Sequence, residues 1–220
     1  MKTCYIFGAL PVSRMPKLPE KGDFIIAADK GIETLEKRGM EPDIIIGDFD
    51  SLGYIPESEN KIVLPERKDD TDIAYAINYA LGKGCDRFCV YGAIGGLLDH
   101  TMANIQLSAY LSKKGLFNEF FGEEFTISCL TNGKMRLEKA EKGRFSMFAL
   151  EKATGVSLKG LSYTAENREF DQFYPIGVSN EFVGEEAEIE VESGTLLLLW
   201  EGDICIKEYN SRQKKEDSPC

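Results

Sequence analysis

Gly47-Asp48-Phe49-Asp50-Ser51 sets two carboxylates at i and i+2 directly after Asp43-Ile44-Ile45-Ile46, an apolar run that reads as a buried strand. Carboxylates leaving a strand end can face one bound cation if the turn bends back. Hard divalent cations take oxygen ligands, and Mg²⁺ commonly bridges one or two carboxylates and substrate phosphates. Alone, the pattern equally describes an acidic surface turn. The weight therefore falls on what else the chain brings to the same edge.

Two other stretches could join it. Lys68-Asp69-Asp70-Thr71-Asp72 puts a cation, a hydroxyl and carboxylates at a helix start. Backbone N–H groups there favour phosphate, and the lysine adds a point charge; an ordinary solvated cap is the plainer reading. Gly92-Ala93-Ile94-Gly95-Gly96-Leu97-Leu98-Asp99-His100 lets backbone approach an anion closely, ahead of another helix. It is neither a Walker A loop nor a G-x-G-x-x-G fingerprint. His100 is the only histidine, which excludes a multi-histidine metal site. No Cys/His or Ser/His/Asp arrangement supplies a nucleophile. Together these residues suit a reaction of Mg²⁺, polyphosphate and a small acceptor, in which the protein positions reactants and neutralises charge.

The elements that must position them alternate through the first half. Tyr5–Phe7, Phe24–Ala28, Asp43–Ile46, Lys61–Leu64 and Arg87–Tyr91 read as strands. Helical patterns cover Gly31–Gly39, a stretch opened by Asp70–Asp72, and about Asp99 to Lys114. In the second helix Ile73, Ala76, Ile77, Ala80 and Leu81 form one apolar stripe. This alternation predicts a Rossmann-like α/β domain with a mostly parallel sheet, whose ligands bind at the carboxyl ends of the strands. Asp29, Asp48, Asp50 and Asp99 all follow strand-like segments, and Asp72 starts a helix.

Beyond Phe125 the texture changes to short strands separated by Gly, Asn and charged turns: Phe125–Leu130, Lys134–Leu137, Arg144–Leu150, Gly155–Leu158, Glu188–Val191 and Thr195–Trp200. That predicts an all-β sandwich. The expected domains are residues 1–123 (α/β, nucleotide-binding) and 124–210 (β-sandwich), with 211–220 a polar, disordered tail.

The totals bound the partners. Twenty-six Lys and Arg against 37 Asp and Glu give a net charge of −11, which argues against a nucleic-acid partner. The six cysteines form no C-x-x-C pair, and most sit inside apolar runs, as buried thiols of a reducing compartment do. No apolar stretch reaches membrane-spanning length, and the first residues read as a strand rather than a leader. A cytoplasmic protein without membrane contact is expected.

The chain resembles the thiamine pyrophosphokinase family in Ala28-Asp29-Lys30-Gly31, Gly47-Asp48-Phe49-Asp50-Ser51, Lys68-Asp69-x-Thr71-Asp72, Gly95-Gly96-x-x-Asp99-His100-x-x-Ala103-Asn104 and Gly177-Val178-Ser179-Asn180-Glu181. Each motif is weak alone; five in this order are specific. The resemblance implies an α/β domain followed by a thiamine-binding β-sandwich, in a homodimer with the active site at the interface. It implies Mg²⁺-dependent transfer of pyrophosphate from ATP to the thiamine hydroxyl, giving thiamine diphosphate and AMP. Asp48, Asp50, Asp72 and Asp99 would then be catalytic, holding Mg²⁺ and polyphosphate, one of them accepting the hydroxyl proton. Lys68, Thr71, Gly95, Gly96 and His100 would meet the nucleotide. Asp29, Asn104, Ser179, Asn180 and Trp200 would meet the substrate. Trp200 has two readings: an aromatic face for thiamine, or a core residue at a strand end. Many relatives carry Arg after Gly-Gly, where this chain has Leu97. That departure motivates the alternative of a non-catalytic thiamine or nucleotide sensor. A sugar-nucleotide transferase is a third reading, disfavoured by Ser179-Asn180.

Overall fold

The computed structural model describes residues 1–212. The chain folds as two units: Met1–Leu107 with Asn118–Glu123, and Ser108–Phe117 with the chain from Glu124 onward. In chain order the first elements are β1 (Thr3–Phe7), β2 (Phe24–Ala28), α1 (Gly31–Lys37), β3 (Ile44–Gly47), β4 (Lys61–Val63), α2 (Asp72–Gly82), β5 (Arg87–Tyr91), α3 (Leu98–Lys113) and β6 (Phe117–Phe121).

In the first unit the strand order is β6-β5-β1-β2-β3-β4, and every registered pair from β5 to β4 is parallel. The expected parallel α/β arrangement is present. β3 is buried along its whole length, as a strand covered on both faces must be. The α2 stripe faces inward: Ile73, Ala76, Ile77 and Ala80 are buried. Each large aliphatic side chain so buried contributes roughly 1.5–3 kcal/mol. Thr71 caps this helix, its Oγ1 accepting from the Ala74 amide at 3.2 Å.

The chain steps outward from β1 through β2, β3 and β4, then returns to β5 on the other side of β1. This is a topological switch point, where the loops after two adjacent strands leave in opposite directions and open a crevice. Register brings Phe7 beside both Ala27 and Tyr91, and Ala28 beside Ile46. Gly8, Asp29, Asp48 and Gly92 therefore leave the sheet along one edge.

The β1–β2 connection is tied down over this unit. The Tyr5 hydroxyl donates to the Leu18 carbonyl at 3.0 Å, and the Tyr91 hydroxyl to the Lys17 carbonyl at 2.7 Å. The Lys17 ammonium pairs with the carboxylate of Glu119, whose side chain is fully buried. That pairing explains a strand the sequence reading did not assign. β6 is buried throughout, but Asn118 and Glu119 interrupt its apolar pattern.

The second unit is built from β7 (Phe125–Thr131), β8 (Lys134–Leu137), β9 (Arg144–Ala149), β10 (Ala153–Lys159), β11 (Ala165–Phe170), β12 (Asn180–Glu181), β13 (Ala187–Glu190), β14 (Thr195–Glu201) and β15 (Ile206–Asn210). They form two antiparallel runs, β12-β9-β14-β7 and β11-β10-β13-β8-β15. β11 carries no sequence signal, because Ala165-Glu166-Asn167-Arg168-Glu169-Phe170 is an exposed edge strand with no apolar alternation. Of the expected tail, residues 213–220 lie outside the described residues. Ser211 is anchored rather than loose: its hydroxyl donates to the carbonyls of Ser112 and Thr131 at 2.8 and 2.7 Å.

Two predictions follow from packing and charge here. A Cβ on Gly31 would stand 1.8 Å from the Phe7 carbonyl oxygen, so α1 can start this close to β1 only with glycine. Gly31→Ala is expected to cost about 3 kcal/mol or more in urea unfolding, the upper range of overpacking costs. In the second unit, Lys134 first, then Lys159 and Arg136, hold the Glu188 carboxyl below its ordinary value. A depressed carboxylate stabilises the fold above its unfolded value, about 4.3, and loses that contribution as pH falls through the folded one. Glu188→Gln should therefore lower stability by about 1 kcal/mol or less at pH 7, and the difference should shrink as unfolding is measured at successively lower pH below about 4.3.

Candidate active site

Above the β1/β5 switch point lies a crevice of about 540 Å³. Its floor is backbone: Gly8 donates to the Tyr91 carbonyl at 2.7 Å and Leu10 to the Gly92 carbonyl at 3.0 Å. A Cβ on Gly8 would meet the Gly92 oxygen at 2.7 Å, so the two loops approach because neither carries a side chain there.

Of the residues singled out from sequence, Asp29, Asp48, Asp50, Lys68, Thr71, Asp72, Gly95, His100 and Asn104 line this crevice. Asn104 is buried and fixed, its Nδ2 donating to the Ala93 carbonyl at 2.6 Å. Gly96 lies one position off the lining, against the Leu10 side chain. Asp99 is not brought in: it is exposed, and its Oδ1 accepts from the His100 amide at 2.9 Å. A carboxylate at a helix start can turn back onto its own backbone, and this one does. In the second unit, Asn180 is buried, accepting from the Tyr163 amide at 2.8 Å and donating to its carbonyl at 2.7 Å. Ser179 stands beside it with φ +60°. Trp200 is 1% exposed and its indole N–H donates to the Ile204 carbonyl at 2.8 Å, the placement of a core residue.

The carboxylate geometry draws three of these acids together. Asp29, Asp48 and Asp50 each offer an oxygen, all within 4.8 Å of one another, and could hold a metal ion. The family resemblance puts Asp29 at the substrate end, and the structure sets it beside Asp48 and Asp50. Its membership was legible: it follows β2 as Asp48 follows the adjacent parallel strand β3. Asp72 instead stands with Lys68, whose ammonium is 3.1 Å from Asp72 Oδ1 and pairs directly with Asp48 Oδ2. Glu66 and Asp70 also line the crevice.

The residues fit a divalent ion. Asp29 is buried; its Oδ2 accepts from the Ser51 hydroxyl, while Oδ1 has no hydrogen-bond partner among the described residues. A buried carboxylate oxygen left without a donor is costly, and a hard cation bound by oxygen would satisfy it. The backbone at this site is strained: Asp29 has φ +48° and Phe49 φ +63°. Such conformations in non-glycine residues persist only where the surroundings enforce them, and they cluster at functional sites. Phe49 is buried and anchors the turn from below.

Electrostatics divide the carboxylates. Burial works to raise Asp48, but the Lys68 ammonium and the Asp50 amide outweigh it and hold the carboxyl below its ordinary value. Burial, with the like charges of Asp48 and Asp29, pushes Asp72 up against the pull of Lys68. Lys68 is raised, because Asp48 and Asp72 more than offset its burial.

A parallel α/β unit with an acidic, lysine-bearing crevice at its switch point, joined to an antiparallel β unit, defines a two-domain transferase of the phosphate-handling kind. The thiamin pyrophosphokinase catalytic-domain model matches residues 15–117, and the vitamin B1-binding-domain model of the same family matches residues 134–196. The chain belongs to the thiamin pyrophosphokinase family. It is 29% identical to the thiamine pyrophosphokinase of Bacillus subtilis over 213 residues, covering 90% of this chain and 98% of that protein. The crystal structure of thiamine pyrophosphokinase from B. subtilis superposes with a TM-score of 0.79 at 26% identity, covering 90% of this chain and 98% of that one. The structure from Geobacillus thermodenitrificans gives 0.76 at 22% identity, covering 92% and 98%, a likeness of fold.

Gly47 tests the geometry. A Cβ there would stand 2.9 Å from Asp29 Cα. Gly47→Ala should push the ends of β2 and β3 apart, weaken Mn²⁺ binding about tenfold or more, and lower unfolding stability by about 1–3 kcal/mol. Titration of Mn²⁺ beside urea unfolding measures both.

Proposed function

We propose that this chain catalyses Mg²⁺-dependent transfer of the terminal pyrophosphoryl group of ATP to the hydroxyl of thiamine, giving thiamine diphosphate and AMP. The family membership supports the activity. The observation that carries the residue assignment is the meeting of Asp29, Asp48 and Asp50 within 4.8 Å beside Lys68 at the switch point.

In this reading residues 1–123 take the nucleotide and residues 124–210 contribute to thiamine binding. Asp29, Asp48 and Asp50 hold Mg²⁺, which when bound neutralises and orients the phosphates. Lys68 and Thr71, at the start of α2, face the phosphate chain, where amides and dipole favour anions. The Gly92–Gly95 backbone lets the nucleotide approach, and Asn104 holds that loop through Ala93. His100 stands at the wall. Asp72 stays paired with Lys68, and its raised pKa suits a group placed to receive the hydroxyl proton. Asp99 serves as a first-turn residue of α3. Ser179 and Asn180 are the thiamine-side residues of the second unit. A homodimer with the site at its interface, in the cytoplasm, completes the reading; among the described residues no helix is long and apolar enough to cross a membrane.

Incubation with ATP, Mg²⁺ and thiamine should yield AMP and thiamine diphosphate in equal amounts. Production of ADP would overturn the reaction type; ligand-dependent stabilisation without AMP would favour the sensor. Asp48→Asn should lower kcat by about 100-fold or more, since several kcal/mol of charge stabilisation depend on the ion. Circular dichroism should show the fold unchanged.

A further inference from the structure

Within that reading of the carboxylates, one cation already stands among them. The Lys68 ammonium pairs with Asp48 Oδ2 and sits 3.1 Å from Asp72 Oδ1, on a side chain only 16% exposed. Lys68 lies four residues before α2 begins at Asp72, and its side chain reaches both that helix start and Asp48, the residue after β3. A divalent ion ligated by Asp48 must lie about 2.1 Å from a carboxylate oxygen. It would then crowd the ammonium already on that carboxylate, and like charges this close repel strongly in a crevice partly shielded from water.

We propose that Lys68 is an exchangeable counter-ion of this site: it holds Asp48 and Asp72 until a divalent ion arrives, gives up Asp48 to the ion, and turns its ammonium to the phosphates that accompany it. Three features support the exchange. Lysine carries a compact charge on a flexible four-carbon stem with rotatable donors, whereas arginine's planar fork would fix one geometry. Asp72 gives the ammonium a second partner from which to swing, so release of Asp48 need not leave it unpaired. Thr71, beside Asp72 at the N-terminus of the eleven-residue α2, puts the phosphate-favouring end of the helix within the same turn. Lys68 is thus a positioning residue toward the metal, before any contact with substrate.

The role separates from a merely structural one because it predicts opposite changes in two affinities. With the full-length protein and no nucleotide, Lys68→Met should bind Mn²⁺ about tenfold more tightly than wild type, because a competing charge is gone. With Mn²⁺ saturating, the same variant should bind a non-hydrolysable ATP analogue about tenfold more weakly, because a phosphate partner is gone. Lys68→Gln should behave alike. A brace for the fold predicts that both affinities fall. Mn²⁺ affinity that is unchanged or weaker in the variants overturns the exchange while leaving the metal reading standing. Wild-type protein that takes up no Mn²⁺, with or without the analogue, overturns both. A readout on wild type alone avoids any folding defect: acetylation of Lys68 by acetic anhydride, followed by mass spectrometry. Mn²⁺ should speed it severalfold and the ATP analogue should slow it again; no acceleration by Mn²⁺ overturns the proposal.

Discussion

Mutual repulsion of carboxylates is the constraint around which the first unit is arranged. Two unit charges about 4 Å apart at an effective dielectric near 20 repel by about 4 kcal/mol, and Asp29, Asp48 and Asp50 lie within 4.8 Å of one another. Nothing in a loop alone would hold them so. They are held because adjacent parallel strands end in register, Ala28 beside Ile46, and because Gly47 lets the two strand ends close up against Asp29. The Ser51 hydroxyl and the Lys68 ammonium each take one carboxylate oxygen. The rest of the opposition is met by packing: β1, β2 and β3 are almost wholly buried, so the strand ends cannot drift apart without opening the core.

This explains why the crevice lies where it does. The outward walk from β1 to β4 and the return to β5 place glycine-bearing loops on one side and acid-bearing turns on the other. Anion-accepting backbone and cation-accepting side chains thus face each other across one opening. A metal–polyphosphate complex carries both charges, and the two walls match its two ends.

Much of this was legible in the chain. Alternating strands and helices gave the parallel sheet, and the Ile73–Leu81 stripe gave α2 nearly to its ends. Acids following strands pointed to the edge where Asp29, Asp48 and Asp50 meet. What escaped did so for identifiable reasons. β6 hides because Glu119 is buried against Lys17, a pairing a hundred residues apart that local pattern cannot express. β11 hides because an exposed edge strand needs no apolar alternation. Asp99 has the right residue type at the right position, yet turns back to the His100 amide. Trp200 has an aromatic face suited to a ligand, but its burial follows from β14 pairing on both sides, with β7 and β9. Side-chain direction at a helix start and depth at a strand end are tertiary properties, and spacing in sequence does not carry them.

Phe49 combines a left-handed backbone with a fully enclosed ring. Each property narrows the residues that evolution can write at this position, and they narrow it from opposite sides. β-Branched side chains are disfavoured by the backbone. Glycine and asparagine would relax the torsion but abandon the hydrophobic anchor. Only an unbranched, bulky side chain meets both demands, so this one ring fixes the turn from which Asp48 and Asp50 project.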